Sequence, residues 1–161
     1  MQAVRGAKDA GHEVTVYRVN EMDIRGCQGC NACKNVSIDC VLKDDLAPYW
    51  KALHEADALI VSAPNYAANA CGPMITYMNR HYCLLDRDWR PRIHPGIRLI
   101  GIFTQGDADR EKYKDVYRRY LADFENRDMK LVDMLVHTRA DGVVTDECAL
   151  ARRAYELGRA L

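Results

Sequence analysis

The chain has 161 residues, of which 48% are hydrophobic and 29% are charged, and its 23 Lys and Arg residues balance its 23 Asp and Glu residues. This length suits one domain over residues 1–161, and the charge balance excludes a strongly basic nucleic-acid-binding surface and an acidic solvating tail. No apolar run approaches the length of a membrane span, and the first residues lack the apolar segment of a secretory signal. We therefore expect a cytoplasmic protein that binds neither nucleic acid nor membrane and keeps its thiols reduced.

Short β-rich runs alternate with longer helical patterns along the chain. Residues 1–11 match the second half of a helix that ends at a glycine, and residues 14–19 are typical of a strand. Residues 44–56 have a helical pattern that Asp44 is placed to cap. The apolar face of that helix comprises four residues: Leu46, Tyr49, Trp50 and Leu53. The apolar run at 58–63 predicts a strand that is covered on both faces, as in a parallel sheet.

The second half of the chain continues this alternation. Helical patterns cover 73–85, 110–126 and 145–161, and Thr145 is the expected cap of the last helix. Two further strands are predicted, at 98–104 and 130–136. Residues 86–96, which are rich in Arg and Pro, fit a surface connector.

The order βαβαβαβα behind a partial helix predicts an α/β fold, namely a doubly wound parallel sheet with helices on both faces. In the strand order 2-1-3-4-5, a first strand lies between the strands at 14–19 and 58–63. The sequence contains no segment that matches this first strand. We expect either that the chain begins downstream of its natural start or that another segment or chain fills the gap.

The densest chemical signal is "RGCQGCNACKNVSIDC" at residues 25–40, which holds four of the seven cysteines. Three of these cysteines are separated by two residues each, and the fourth follows after six more: Cys27, Cys30, Cys33 and Cys40. Two-residue spacers let successive thiolates converge on one cubane, and a distal cysteine completes the four ligands. The spacing therefore favours a [4Fe–4S] cluster.

Two other interpretations of the four cysteines remain open. Structural zinc sites usually have two C-x2-C pairs that are well separated, a pattern that a compact triple with one outlier matches less well. In the third interpretation the thiols bind no metal. The remaining cysteines, Cys71, Cys83 and Cys148, are expected to be small core residues. The five histidines show no ligand-like spacing and are expected to be solvated or hydrogen-bonded.

The loops after the strands at 58–63 and 98–104 should meet at the carboxyl edge of the sheet, where open α/β sheets bind ligands. These loops read "SAPNYAANACG" and "TQGDAD", and their small and polar residues allow a flat ligand to approach the backbone closely. Tyr66 is placed to pack beside an aromatic ligand. The cysteine segment follows the strand at 14–19 and is therefore expected at the same edge.

Three stretches resemble the iron–sulfur flavoproteins, a branch of the flavodoxin-like, NADPH-dependent FMN reductase superfamily. They are "CQGCNACK…CVLKDDL", "ADALIVSAPNYAANACGPMITYMNR" and the closing "AYELGRAL". The resemblance implies a flavodoxin-like fold with FMN at the carboxyl edge of the sheet and an FMN-dependent oxidoreductase or electron-transfer activity. In cluster-bearing members a [4Fe–4S] centre exchanges electrons with FMN. The ligand positions that match are Cys27, Cys30, Cys33 and Cys40.

The resemblance also implies flavin-binding residues. The second flavin loop of the family matches Ser62, Ala63, Pro64, Asn65 and Tyr66. The third flavin loop matches Thr104, Gln105 and Gly106. NAD(P)H is the candidate electron donor, and the acceptor is a redox partner protein or a small molecule. Homodimers or homotetramers with FMN near a subunit interface are the usual assemblies. No side chain is identified as a catalytic acid or base.

The sequence departs from the family in two places. The Ser/Thr-rich loop that wraps the FMN phosphate has no counterpart, and Asn65 stands where many relatives carry a hydrophobic residue. Two alternative functions are therefore kept. One is a cluster-free NAD(P)H-dependent FMN or quinone reductase, and the other is a non-catalytic, zinc-stabilised interaction domain with a flavodoxin fold.

Overall fold

The computed structural model describes residues 1–161. Its α-helices are α1 (Gln2–Asp9), α2 (Ala32–Asn35), α3 (Ala47–Glu55), α4 (Gly72–Arg80), α5 (Lys114–Glu125) and α6 (Ala149–Arg159). Its strands are β1 (Ala58–Tyr66), β2 (Asn69–Ala70), β3 (Arg98–Thr104) and β4 (Lys130–His137). Short 3₁₀ turns lie at Val19–Glu21, His81–Leu84 and Arg139–Asp141. None of the helices combines the length and the apolar character that a membrane crossing requires.

The four strands form one sheet in the order β2-β1-β3-β4. Strands β1 and β3 pair in parallel as far as Pro64 opposite Thr104, and β4 continues in parallel with His137 opposite Thr104. Strand β2 folds back antiparallel on the end of β1. The carboxyl ends of three parallel strands therefore lie side by side, and the predicted α/β fold with a mostly parallel sheet is confirmed.

Both faces of the sheet are covered. On one face, Ile100 and Leu135 pack with residues of α1 and α6. On the other face, Leu99 and Phe103 belong to a larger core that includes residues of α3, α4 and α5. Because neighbouring strand residues point to opposite faces, Leu99 and Ile100 enter different cores. This double burial explains why the strands are almost continuously apolar.

The predicted strand at 14–19 is wrong. Residues 13–18 have no regular structure, and a 3₁₀ turn follows at Val19–Glu21. A strand needs a neighbour for its backbone N–H and C=O groups, and β1 has a parallel neighbour on one side only. The segment is instead attached by side chains, since the ring of Tyr17 packs edge-on against Tyr49 with centroids 5.3 Å apart. Without a central strand, the β-rich composition of this segment does not produce a ladder.

Three helices, α3, α5 and α6, begin three or four residues later than predicted. Helix α3 begins at Ala47, because the Asp44 carboxylate is engaged by Arg80 and does not cap the helix. Helix α6 begins at Ala149, and its cap is Cys148, whose Sγ accepts a hydrogen bond from a backbone N–H in the first turn. Thr145 lies outside that helix.

The other predicted elements agree with the structure within a few residues at each end. The predicted apolar face of α3 is buried as expected. The 73–85 pattern becomes α4 followed by a 3₁₀ turn, and the 110–126 pattern becomes the shorter α5. The strands predicted at 98–104 and 130–136 correspond to β3 and β4.

Candidate functional site

The four cysteines of the 25–40 segment line one cavity. The opposite wall of the cavity comes from the end of α4 and the 3₁₀ turn that follows it, with Arg80, Tyr82 and Cys83. The cavity itself is small, about 20 Å³, and it opens to solvent on one side. Cys27 and Cys30 are exposed. The fold thus gathers around one space the cysteines that the sequence analysis selected, and it adds Cys83, which had been expected only in the core.

The lining of the cavity suits a soft metal or an iron–sulfur group, because the four thiols of the cysteine segment and that of Cys83 face one space. The side chains are not in a ligating arrangement, since no group of three or more His, Cys, Asp or Glu residues is placed to hold a metal ion. Burial raises the pKa of the Cys33 thiol, and the nearby positive charge of Lys34 opposes this rise. Binding would therefore require that the thiols lose their protons and turn toward a common centre.

Two cations fasten the middle of the cysteine segment to the chain beyond α4. Nη1 of Arg92 donates to the carbonyl oxygen of Cys33 at 2.6 Å and to that of Ile38 at 2.7 Å. Nζ of Lys34 donates to the carbonyl oxygen of Tyr82 at 2.8 Å and lies 3.9 Å from the centroid of its ring. Arg92 thus binds the backbone of the segment and Lys34 anchors it by a side chain, and neither contact uses a thiol.

Arg80 fastens the two ends of the segment. Arg80 is 1% exposed as a residue, and its side chain forms an ion pair with Asp44, which lies just after the segment. Nη1 of Arg80 also donates to the carbonyl oxygen of Arg25 at 2.8 Å, and Nε donates to Sγ of Cys40 at 3.2 Å. Burial alone would raise the pKa of Asp44, but hydrogen bonds from Arg80 and from backbone N–H groups hold it below its ordinary value.

The second candidate site lies at the carboxyl edge of the sheet. Ser62, Tyr66, Thr104 and Gly106 are exposed there. Ala63 and Gln105 are buried, whereas Pro64 and Asn65 are half-buried. The residues matched to the two flavin loops therefore come together at the ends of β1 and β3, and about half of them face solvent.

Free backbone donors are concentrated at this edge. The amides of Gly106, Asp107 and Ala108 donate to no acceptor within the chain. The amides of Ala67 and Ala68, at the tip of the β1–β2 hairpin, are also free, and both residues have positive φ angles of 50° and 61°. Unpaired amides beside small side chains suit a flat ligand that carries carbonyl and ring-nitrogen acceptors.

The side chains of Gln105 and Asn65 lie beneath the exposed residues of the carboxyl edge. Oε1 of Gln105 accepts a hydrogen bond from the hydroxyl of Tyr117 at 2.9 Å, and Nε2 donates to the carbonyl oxygen of Asp109 at 2.6 Å. Gln105 therefore holds the loop and does not present its side chain to a ligand. Nδ2 of Asn65 is buried and has no acceptor. Buried donors without a partner are rare in native proteins, and this amide lies close enough to the Tyr117 hydroxyl to oppose the rise in its pKa that burial causes.

The cysteine cavity and the flavin-type loops lie at opposite ends of α4. The helix begins at Gly72, just after the hairpin, and the cavity is built at its last residue, Arg80. Nine helical residues rise about 12 Å between these ends. The cysteine segment was expected at the carboxyl edge of the sheet because it follows residues 14–19, which were predicted to be a strand. Those residues form no strand.

Sequence analysis missed Arg80 and Cys83 as parts of the cavity, and it missed Arg92 as an anchor of the cysteine segment. One signal was available for Arg80, which follows the buried Tyr77 by three residues on the apolar face of a helix. A charged residue on such a face predicts a buried ion pair, and Asp44 is that partner. Arg92 binds only carbonyl oxygens, which leave no trace in a sequence pattern.

The parallel sheet, the flavin-type loops and the thiol-lined cavity define an α/β protein of the flavodoxin-like class. Residues 1–104 match the family model described as NADPH-dependent FMN reductase. The chain belongs to this family, and the resemblance inferred from its sequence motifs is confirmed.

Two similar curated proteins bear the name iron–sulfur flavoprotein. One, from Archaeoglobus fulgidus, is 31% identical over 101 residues, which cover 58% of this chain and 49% of the relative. The other, from Methanosarcina thermophila, is 31% identical over 97 residues, which cover 60% of this chain and 50% of the relative. The chain thus spans about half the length of the curated relatives it matches, and the similarity supports the iron–sulfur flavoprotein branch.

A solved structure with the same fold is that of a proposed quinone reductase from Klebsiella pneumoniae. The two structures align with a TM-score of 0.65 at 18% sequence identity, over 98% of this chain and 74% of the other. At this identity the similarity establishes the fold alone.

Proposed function

We propose that the chain is an FMN-dependent oxidoreductase with a [4Fe–4S] cluster on Cys27, Cys30, Cys33 and Cys40. The observation that carries the proposal is that these four cysteines line one cavity in a chain of the FMN reductase family. The names of the curated relatives support the cluster, since both are iron–sulfur flavoproteins.

FMN supplies hydride or two-electron chemistry when it is bound, with NAD(P)H as the candidate donor. The contribution of this chain is to position the ring and set its electronic environment. The free amides of 106–108 and of the hairpin tip are donors for the edge of the isoalloxazine, and the exposed Tyr66 is available to cover its face. Asn65 offers a further donor once an acceptor reaches it.

An iron–sulfur cluster supplies single-electron transfer when it is bound. Here the four thiols would hold it, while Arg80 and Arg92 hold the segment that carries them. Cys27 and Cys30 lie at the surface, which favours exchange of electrons with a partner protein or a small acceptor. We propose that this chemistry takes place in the cytoplasm, where clustered thiols stay reduced and available as ligands.

A homodimer or homotetramer is the assembly that we propose. The edge of β1 opposite β3 has no parallel strand beside it. The phosphate loop of the family also has no counterpart in this chain, and a second subunit is one source of groups that could complete the flavin site. The oligomeric state is tested by light scattering of the purified protein with FMN.

One observation favours a second candidate function. The cysteine side chains are not in a ligating arrangement. A cluster-free NAD(P)H-dependent FMN or quinone reductase would use the same carboxyl edge and keep the cysteines as thiols. This candidate predicts a protein that binds flavin and no iron.

The first experiment measures iron, zinc, acid-labile sulfide and FMN per chain in protein purified without oxygen. The proposal expects about four irons with equal sulfide, together with one FMN. FMN without iron would support the cluster-free reductase. Zinc without FMN would overturn the catalytic proposal and favour the zinc-stabilised interaction domain.

A variant pair then tests the ligand assignment. Cys30→Ala should hold clearly less iron and sulfide than the parent, because one of the four thiolate ligands is missing, while FMN binding is retained. Cys148→Ser is the matched control, since Cys148 caps α6 and lies outside the cavity. Full iron content in Cys30→Ala would contradict the assignment.

A further inference from the structure

We propose that Arg80 is a positioning residue for Cys40 and that its hydrogen bond to Sγ raises the reduction potential of the centre that the cysteine segment holds. The inference rests on the proposed [4Fe–4S] function and adds a residue to it. Arg80 comes from a different part of the chain than the four cysteines, and it is the guanidinium that lines their cavity.

The geometry gives Arg80 a single orientation. Both of its Nη groups bond to Asp44, and Nη1 also bonds to the carbonyl oxygen of Arg25. With these two directions fixed, the planar guanidinium directs Nε at Sγ of Cys40, 3.2 Å away. The side chain of Arg80 has no measurable exposure and that of Asp44 is 6% exposed, so water does not compete for these bonds. A lysine in this place would have no comparable fork of donors.

The choice of Cys40 is informative. Cys40 is the distal cysteine, separated from the compact triple by six residues, and nothing in the spacing fixes its direction. Arg80 connects the start of the segment, at Arg25, to this last cysteine. It thereby closes the segment into a loop around the cavity. Arg80 thus orients Cys40 toward the cavity, as the two-residue spacers orient the other three cysteines.

The electrostatic consequence has a definite sign. One-electron reduction of an iron–sulfur centre adds one negative charge, with the electron supplied by reduced flavin or by an external reductant, and it breaks no bond. A hydrogen bond to a ligand sulfur stabilises the form with more negative charge. The bond from Arg80 therefore favours the reduced form, and its removal lowers the reduction potential.

Arg127 provides a matched control. It is also a buried arginine near α4, but its Nε donates to the carbonyl oxygen of His81 at 3.1 Å and its other partner is Asp123. Arg127 does not line the cysteine cavity. Its replacement perturbs the packing of α5 on the same region without touching a sulfur.

The experiment compares the parent chain with Arg80→Met, Arg80→Lys and Arg127→Lys, all purified with their cofactors in the absence of oxygen. Three quantities are measured: iron and sulfide per chain, the rate of iron loss to a chelator, and the midpoint potential in a dithionite titration followed by electron paramagnetic resonance. Arg80→Met should lose iron about 10–100-fold faster, as expected for loss of an outer hydrogen bond to a ligand. Its midpoint potential should shift to a lower value.

Arg80→Lys should restore part of both properties, and Arg127→Lys should match the parent in potential. A parent-like potential and iron retention in Arg80→Met would overturn the inference while leaving the cluster proposal intact. A parent chain without iron would instead overturn the proposed function itself. If Arg80→Met does not fold, Asp44→Asn replaces it, because that variant keeps the guanidinium but loosens its orientation. Parent-like values in Asp44→Asn would then count against the inference.

Discussion

Nε2 of His81 lies 2.7 Å from the hydroxyl of Tyr49 in the centre of the larger core. Nδ1 of His81 lies 3.1 Å from the carbonyl oxygen of Tyr77, which can only accept, so Nδ1 carries the proton. Nε2 is therefore the acceptor for Tyr49, whose hydroxyl in turn accepts from that of Tyr77 at 2.6 Å. The neutral imidazole is satisfied at both nitrogens, and a second proton on Nε2 would break the chain of hydrogen bonds.

This arrangement predicts a loss of stability in mild acid. Burial, reinforced by the positive charge of Arg127, lowers the pKa of His81 from 6.5 to about 3. Between these two values the unfolded chain binds a proton on this histidine and the folded chain does not, so the free energy of unfolding falls as the pH falls. The slope from this one group approaches about 1.4 kcal/mol per pH unit. Urea unfolding at several pH values from 7 to 4.5 measures it.

His81→Gln isolates this contribution. The glutamine carbonyl can accept a hydrogen bond from Tyr49 but does not titrate. The free energy of unfolding of the variant should therefore depend less on pH over the same range, by the slope that corresponds to about one proton. The other four histidines are present in both proteins, and their contributions cancel in the comparison. Equal slopes for the parent and His81→Gln would contradict a buried, neutral His81.

The crossing of α1 and α6 gives a second prediction, on stability. A Cβ atom at Gly158 would lie 2.0 Å from the carbonyl oxygen of Ala3, and one at Gly6 would lie 2.0 Å from that of Tyr155. The two backbones are therefore in contact where these glycines face each other's helix. Gly158→Ala should destabilise the protein by about 1–3 kcal/mol, because the helices must move apart.

Gly72→Ala is the control for this prediction. Gly72 is the first residue of α4, and a Cβ atom there would meet nothing within 4 Å. Alanine at this position should leave the stability unchanged or raise it slightly. Thermal unfolding of the two variants beside the parent decides the matter. If Gly158→Ala were as stable as Gly72→Ala, the close approach of α1 and α6 would be refuted.

Much of the fold follows from local pattern, and the exceptions have clear physical causes. The run at 98–104 became β3 without change, because a buried parallel strand is apolar on both faces and has little alternative. The run at 14–19 has an equally β-rich composition but no neighbour to pair with. Strand formation depends on a partner in the sheet, and composition does not supply one.

In the candidate sites, too, local features could be predicted from the sequence and long-range contacts could not. The cysteines could be selected from spacing alone, because two-residue separation is a local property. Arg80 and Asp44 are 36 residues apart, and their pairing appears only when α4 packs against the cysteine segment. The expected cap at Asp44 failed for that reason, since a buried guanidinium competes for the same carboxylate. The loop after β3 was predicted to present backbone amides to a flat ligand, but only the fold decides which of them remain unpaired, namely those of 106–108.

The tip of the β1–β2 hairpin provides a third prediction. Ala67 and Ala68 both occupy the left-handed region, with φ angles of 50° and 61°. This conformation costs a non-glycine residue about 1–2 kcal/mol. Two-residue hairpin turns of this kind therefore usually contain Asn-Gly. Ala68→Gly should therefore raise the free energy of unfolding, by about 0.5–1 kcal/mol after the added flexibility of the unfolded chain is counted.

Ala10→Gly is the matched control for the hairpin. Ala10 is also exposed, but its φ angle is −86°, so glycine there relieves no strain and only adds freedom to the unfolded chain. It should lower the stability by about 0.5–1 kcal/mol. Opposite signs for the two substitutions are expected in urea unfolding. A loss of stability in both would mean that the hairpin tip is not strained.

The last prediction concerns the support of the flavin-type loop. The hydroxyl of Tyr117 is the donor to Oε1 of Gln105, and the ring stacks on Phe103 at 4.4 Å between centroids. Tyr117→Phe keeps the stacked ring and leaves the buried Gln105 oxygen without its donor. The free energy of unfolding should fall by about 1–3 kcal/mol. FMN should also bind more weakly, because Gln105 holds the loop that presents the free amides of 106–108.

Tyr155→Phe separates this effect from the general loss of a tyrosine hydroxyl. Its hydroxyl donates to Asp9 at 2.9 Å on an exposed surface, away from the carboxyl edge of the sheet. An exposed bond of this kind contributes little, and its loss should leave FMN affinity unchanged. Fluorescence titration of FMN into the three apoproteins gives the comparison. Tyr117→Phe removes one oxygen and keeps the contact with the ring of Phe103. If FMN binds more weakly to this variant alone, the affinity depends on the rigidity of the loop. Equal affinities in all three would mean that the loop holds its amides in place without Gln105.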